Sequence, residues 1–218
     1  MTVRDSYVLG INAYDHDVSA CLLENGEIVA AIAKERITRI KHDTGFYQDP
    51  VDYCLAVAGI DLDRVDRIVR NSYVLPVERM ERTLAHHDSP GYMSLRDHRQ
   101  AEEHPLWMTT DERAVTVSHH LAHAYSAFAV CPFTEGVVMV VDGVGSYRQD
   151  VTEAVPEADE AHDLAREAES WYRFEGDEIE PIRKIFMGPV PGFLADDFYN
   201  MPGLGALYSR VSLYVFDH

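Results

Sequence analysis

The sequence predicts an α/β fold, a mixed sheet flanked by helices, and three observations carry that expectation. Apolar runs of strand length recur along the chain; two of them are joined across Glu24-Asn25-Gly26-Glu27; and a helical pattern with apolar positions at Val51, Cys54, Leu55 and Ala58 is followed by a further short apolar run. Asn-Gly between apolar runs is a strong hairpin signal, and a strand that follows a helix is the unit from which mixed and parallel sheets are built.

Taken in order, Tyr7 to Ile11 is a strand, and Ser19 to Leu23 with Ile28 to Ala33 forms the hairpin. Asp49-Pro50 opens a helix that Gly59 stops, since proline suits a first turn and glycine the left-handed position past a last one. Asp66 to Arg70 is the strand that follows. Residues 74–112 are polar, histidine-bearing and weakly periodic, which predicts a variable insertion. Val115 and Val117 end a short strand, Ser118 suits a helix N-cap, and the helix runs through Tyr125, Ala127 and Phe128. Gly136 to Val141 is a buried strand that empties into Asp142-Gly143-Val144-Gly145-Ser146. Glu153 to Ser170 is rich in Glu, Asp and Ala and reads as a solvated insert. Trp171 to Phe174 and Ile179 to Ile185 make another hairpin around Glu175-Gly176-Asp177. A Pro/Gly-rich loop from Met187 to Gly203 holds Phe193, Phe198 and Tyr199, and an apolar helix from Leu204 to Phe216 ends the chain.

Composition excludes several function classes. The 218 residues are 46% hydrophobic, enough to bury a core. Thirty-seven acidic against nineteen basic residues give a formal charge of −18, which repels a phosphate backbone and argues against nucleic acid as a partner. The longest apolar runs are too short to span a bilayer and Asp5 sits where a signal peptide would be apolar, so no membrane partner and a cytoplasmic location are expected. Cys21, Cys54 and Cys131 form no Cys-x-x-Cys pair and read as buried packing residues.

The segment Ser118-His119-His120-Leu121-Ala122-His123 carries the most chemistry. His119 and His123 lie four apart at the start of a helix, so their rings leave one face and can grip the same metal ion. His120 lies between them in sequence and either faces the substrate or packs inward with a hydrogen bond. Asp142 ends a buried strand, where an unpaired carboxylate is costly, so contact with metal-bound water or a ribose is favoured over a plain cap. Gly143 and Gly145 serve a tight turn, with close approach of a phosphate as the added use.

Two strand-to-loop openings of similar design, Gly10-Ile11-Asn12 with Asp15-His16-Asp17 and Asp142-Gly143-Val144-Gly145-Ser146, resemble the paired phosphate loops of the actin and sugar-kinase type of fold. Of its two lobes, residues 1–218 are expected to supply the first, the second being absent.

Five motifs occur in order: Leu9-Gly10-Ile11-Asn12; His16-Asp17-Val18-Ser19-Ala20; Glu35-Arg36-Ile37-Thr38-Arg39-Ile40-Lys41-His42; Ser118 to Ala124; and Val141-Asp142-Gly143. With them, and with Gly203 to Val211 near the end, the chain resembles the O-carbamoyltransferases of antibiotic and nodulation-factor biosynthesis. In that family an N-terminal domain like the tRNA threonylcarbamoyl transferases is joined to a C-terminal domain that makes carbamoyl adenylate from carbamoyl phosphate and ATP. The resemblance implies a carbamoyltransferase that moves the carbamoyl group to a hydroxyl of a small-molecule natural product. It implies His119 and His123 as ligands of a divalent transition metal, iron(II) above others, with a third ligand, an aspartate from the second lobe, lacking a counterpart here. It also places His16 beside the acceptor.

On this reading His16 and His120 are the catalytic candidates, and Asn12, Lys41, Asp142, Gly143 and Gly145 the cofactor-binding ones. His16 suits a general base because an imidazole titrates near neutrality, the plainer role being a hydrogen bond to Asp15 or Asp17. Lys41 and Arg39 either steer the anionic intermediate or lie on a solvated face. His42, His86, His87, His98, His104 and His162 are expected at the surface. The expected partners are the hydroxyl acceptor and the adenylate-forming domain, on this chain or another. The alternative function is a non-catalytic remnant or assembly partner that needs a second chain. A phosphotransferase of the sugar-kinase type is disfavoured, because a histidine pair prefers softer metals than the Mg²⁺ such kinases use.

Overall fold

The computed structural model describes residues 4–12, 17–43, 47–71, 111–143, 145–155, 163, 165–188 and 203–216. The chain divides into two compact units, Met1–Thr116 and Val117–His218. The expected insertion at 74–112 falls almost wholly outside the described residues.

In the first unit, β1 (Tyr7–Asn12), β2 (Ser19–Glu24) and β3 (Glu27–Ala33) form an antiparallel meander. Asn25 and Gly26 turn the second hairpin with φ of 53° and 88°. Positive φ at both central residues matches the twist of the flanking strands, which is why Asn-Gly marks this turn in the sequence. On the far side of β1, β4 (Arg67–Arg70) and β5 (Ala114–Thr116) pair in parallel, giving the order β3-β2-β1-β4-β5. A mixed sheet with packed helices is the α/β arrangement expected.

After the short helix α1 (Lys34–Thr38), α2 (Gln48–Ala58) buries Pro50, Val51, Cys54 and Leu55, the i, i+3, i+4 stripe of a helix with one apolar face. Gly59 ends α2 in the left-handed conformation, φ 65°. That face packs on Leu9, Leu22 and Ile68, all fully buried, so the core lies between α2 and the sheet. Burial pushes the Cys54 thiol up to about 11, in keeping with an inert packing role.

The second unit holds α3 (His119–Phe128), the antiparallel sheet β6 (Glu135–Val141), β7 (Arg166–Glu175) and β8 (Glu178–Met187), and α4 (Leu204–Phe216). The strands run in the order β6-β7-β8. Both hairpin strands are longer than expected, and the reading of Glu153–Ser170 as a solvated insert is corrected. Arg166 to Ser170 are the first residues of pairing in β7, opposite Lys184 to Met187, and Glu167, Ala168 and Ser170 are buried. The charged letters misled because Glu167 finds its partner seventeen residues away, on β8. The apolar core here is small, Ala124, Val140 and Tyr172, flanked by Leu121, Val138 and Ile179. Among the described residues no helix is long and apolar enough to cross a membrane.

Candidate metal centre

On α3, Ser118 occupies the N-cap in extended conformation as expected, yet its side chain makes no capping bond. Its hydroxyl turns to Glu153 Oε2 instead. The first-turn N–H groups, which an α-helix leaves without internal partners, are taken by other segments. Ser118 N donates to Thr152 Oγ1 at 3.1 Å, His119 N to Ser146 Oγ at 2.9 Å and His120 N to Glu167 Oε2 at 3.3 Å.

The helix presents two adjacent faces. His120 and Ala124 point inward and are fully buried, while His119 is half-buried and His123 exposed. At the end of β6, Asp142 meets the outer pair. Asp142 Oδ2 lies 2.7 Å from His119 Nε2 and 3.7 Å from His123 Nε2, and the two Nε2 atoms are 3.1 Å apart. Metal bonds of about 2.0–2.2 Å separate neighbouring ligand atoms by about 3.0–3.5 Å, so the triangle is of the size that encloses a transition metal. The donor chemistry agrees: two ring nitrogens and a carboxylate oxygen converge on one point, an electron-rich triangle that a shared proton neutralises only in part.

Burial pushes the Asp142 carboxyl up, but the hydrogen bond with His119, the nearby His123 ring and the Gly143 N–H outweigh it, holding Asp142 well below the usual carboxylate range. The nearby Asp142 carboxylate in turn raises His123 against the opposing effect of burial. Asp142, expected to contact metal-bound water or a ribose, stands beside the histidine pair as a third ligand-type group.

His120 does not face the exposed pair's side of the helix. Its Nδ1 is 2.8 Å from Ser170 Oγ, and burial, with Lys184 and His119 nearby, pushes it down to about 3, so the ring is neutral. The inward of its two readings is the one realised, which removes it from direct contact with substrate. Gly145 is used for packing: a Cβ there would stand 2.7 Å from His120 Cδ2 and 2.8 Å from Glu167. Gly143 donates its N–H to Asp142 Oδ1 at 2.7 Å and so fixes the carboxylate.

The remaining candidates lie in the first unit. Asn12 ends β1, donating to Asp17 O and accepting from Asn71 Nδ2, both at 2.8 Å. Lys41 is exposed, 3.5 Å from Glu35. His16, Phe193, Phe198 and Tyr199 lie outside the described residues, as do His86, His87, His98, His104 and His162. His42, expected as a plain surface residue, places Nδ1 2.8 Å from Asp17 Oδ1 and its N–H on Glu35. Asp17, Glu35 and His42 thus gather ligand-type atoms. Arg36 and Lys41 already pair with Glu35, so the group reads as an ion-pair cluster and the His119–His123–Asp142 group as the candidate metal centre.

Sequence reasoning missed what lies beneath that centre. Lys184 on β8 reaches Glu167, Glu153 and the Tyr172 hydroxyl, with its side chain wholly buried. The only signal was a lone lysine between Arg183 and Ile185, which does not mark an inward position.

An α/β protein with a two-histidine, one-carboxylate centre at a helix N-terminus and a strand end is the class that fold and site define. Residues 7–104 match the family model described as carbamoyltransferase N-terminus. Among similar proteins, the uncharacterized protein sll1178 of Synechocystis is 36% identical over 162 residues, 65% of this chain and 26% of its own length. The nodulation protein NolNO of Sinorhizobium fredii is 30% identical over 163 residues, 73% of this chain and 24% of its own. The chain thus spans about a quarter of the length of these relatives. Among solved structures, YeaZ from Pseudomonas aeruginosa aligns with a TM-score of 0.43 at 15% identity, over 86% of this chain and 71% of that one.

Proposed function

We propose that the chain is the acceptor-side, metal-bearing part of an O-carbamoyltransferase, which passes a carbamoyl group from carbamoyl adenylate, made elsewhere from carbamoyl phosphate and ATP, to a hydroxyl of a small molecule. The carrying observation is the convergence of His119, His123 and Asp142 within one unit of a chain whose N-terminal segment matches the carbamoyltransferase N-terminus.

His119 Nε2, His123 Nε2 and Asp142 Oδ2 would hold a divalent transition metal, iron(II) being the expected one. Such an ion supplies Lewis acidity toward an anionic substrate oxygen. The protein's own groups prepare that role. Asp142 stays ionised, Gly143 N–H orients it, and the solvent exposure of His123 leaves one side of the triangle open to a substrate. His16 remains the proposed general base for the acceptor hydroxyl, with Asn12 and Lys41 proposed on the cofactor side.

Two measurements test this. Anaerobic titration with iron(II), or cobalt(II) as a spectroscopic stand-in, is expected to show one site, weakened at least a hundredfold in His119→Ala and in His123→Ala; undiminished binding in either would sink the assignment. With ATP and carbamoyl phosphate alone the chain is expected to form no carbamoylated product, whereas supplied carbamoyl adenylate with a hydroxylated acceptor restores transfer. Failure of that restoration, with the metal bound, favours the assembly-partner reading.

A further inference from the structure

Beneath the metal centre lies a charged cluster that the proposed chemistry does not use. Lys184, Glu167, Ser170, His120 and Ser118 are nine-tenths or more buried, and Glu153 is almost as deep. Lys184 Nζ is 2.5 Å from both Glu153 Oε1 and Glu167 Oε1, 2.8 Å from Tyr172 Oη and 3.5 Å from Ser170 Oγ. Buried ion clusters are poor stabilisers, because desolvation offsets most of their attraction. What this one does is seen in where its bonds end.

Glu167 Oε2 accepts the N–H groups of His120 and Ser146. The Ser146 hydroxyl accepts the N–H of His119. The backbone of Glu167 bonds twice to the turn after Asp142: Gly145 N to Glu167 O at 2.8 Å, and Glu167 N to Ser146 O at 2.9 Å. The next residue, Ala168, accepts from Asp142 N at 3.4 Å. One residue of β7 therefore holds both ligand-bearing pieces, the N-terminus of the histidine helix and the turn that carries the aspartate. Lys184 holds that residue from β8, and Ser170 links the same ammonium to the His120 ring.

We propose that Glu167, fixed by Lys184, which Glu153 also holds, and extended by Ser146, is the positioning residue of the metal centre, setting the separation between the His119–His123 pair and Asp142. This rests on the metal-site reading above. Metal ligands depend on outer hydrogen bonds for their orientation, and losing such a partner typically lowers affinity by about 10–100-fold. A site whose supporting shell is loosened is present but ill-sized.

The test is a cobalt(II) titration followed by visible absorption, with near-ultraviolet circular dichroism and melting of the metal-free protein as controls. Glu167→Gln keeps the shape but sets an amide NH₂ against the Lys184 ammonium or against the two backbone N–H groups. It is expected to weaken cobalt binding by about 10–100-fold and to change the visible band of the bound ion. Ser146→Ala removes one bond to the helix start and is expected to weaken binding by about tenfold, the low end of that range. Folded variants that melt lower yet bind cobalt with the original affinity and spectrum would show a merely structural cluster and overturn the proposal. Should Glu167→Gln not fold, Ser146→Ala decides alone, unchanged binding overturning it. Wild-type protein that takes no cobalt brings down the metal-site reading and this proposal together; wild-type binding with unaltered variants brings down only this one.

Discussion

His120 shows how burial turns an ordinary residue into a pH-dependent one. Its folded-state value is about 3 against 6.5 for a free imidazole, so between those limits the unfolded chain binds a proton that the native ring refuses. Stability from this residue is complete above about pH 6.5 and is lost as pH falls toward 3, at up to about 1.4 kcal/mol per pH unit. The metal-free protein is therefore expected to lose resistance to urea over that window, and His120→Asn to flatten the slope by close to one proton; an unchanged slope would show that the ring is not the acid-sensitive group. The meeting of His119 and His123 was legible in the sequence because an i, i+4 pair has one geometric meaning on a helix. Glu153, Glu167 and Lys184 were not legible, since a charged letter reads as solvated until its partner is known, and these partners lie 17 to 31 residues apart. Asp142 stood between the two cases: its costly position was visible, and the distance to the histidines was not.

At the scale of the element, α4 was readable to its ends, Leu204–Phe216, from composition alone. How its start docks was not. Gly205 lies so close to the end of β6 that an added Cβ would stand 2.1 Å from the Asp142 carbonyl oxygen and 2.9 Å from Gly143 N. Leu204 N also donates to Glu169 Oε1 at 3.2 Å, which anchors this end of the helix to β7. On an undocked helix Gly205→Ala would raise stability by about 1 kcal/mol. Here the backbone contact is expected to reverse the sign, costing about 1–3 kcal/mol as overpacking does, and to weaken metal binding by shifting Asp142. Urea unfolding paired with a cobalt titration checks both, and a stabilised variant with intact binding would show that the helix start is not held against the aspartate. The same dependence on neighbours explains why β7 was read too short: its first residues are polar, and only pairing with β8 makes them strand.

At the scale of the whole molecule, the open question is solubility. Val137, Met139 and Val141 alternate along β6 and are 57%, 48% and 42% exposed, and Leu207, Tyr208, Val211, Tyr214 and Phe216 are exposed along α4. Among the described residues β6 pairs only with β7. An apolar strand with an open edge invites association, while a formal charge of −18 opposes it. Salt decides between them, because at about 0.15 M surface repulsion is screened beyond about 8 Å and contact burial is not. The isolated chain is expected to bind a hydrophobic dye and to self-associate more as salt rises, and Met139→Lys to reduce association without lowering the melting temperature. Sedimentation velocity across a salt series checks this, and a monomer at every salt concentration would show that the face is protected.

The two sheets also differ in how far the chain must travel to close them. In the second unit β7 and β8 meet across a tight turn at Asp177, whereas Ile68 on β4 must find Ala114 on β5 across more than forty positions. Closing a long loop before any reward is the slow part of folding, and local hairpins escape most of that delay. The hairpin that carries Glu167 and Lys184, like the one turned at Asn25-Gly26, is thus able to form early. In refolding from denaturant, the scaffold beneath His119, His123 and Asp142 should be in place while the parallel half of the first sheet is still searching for its last strand.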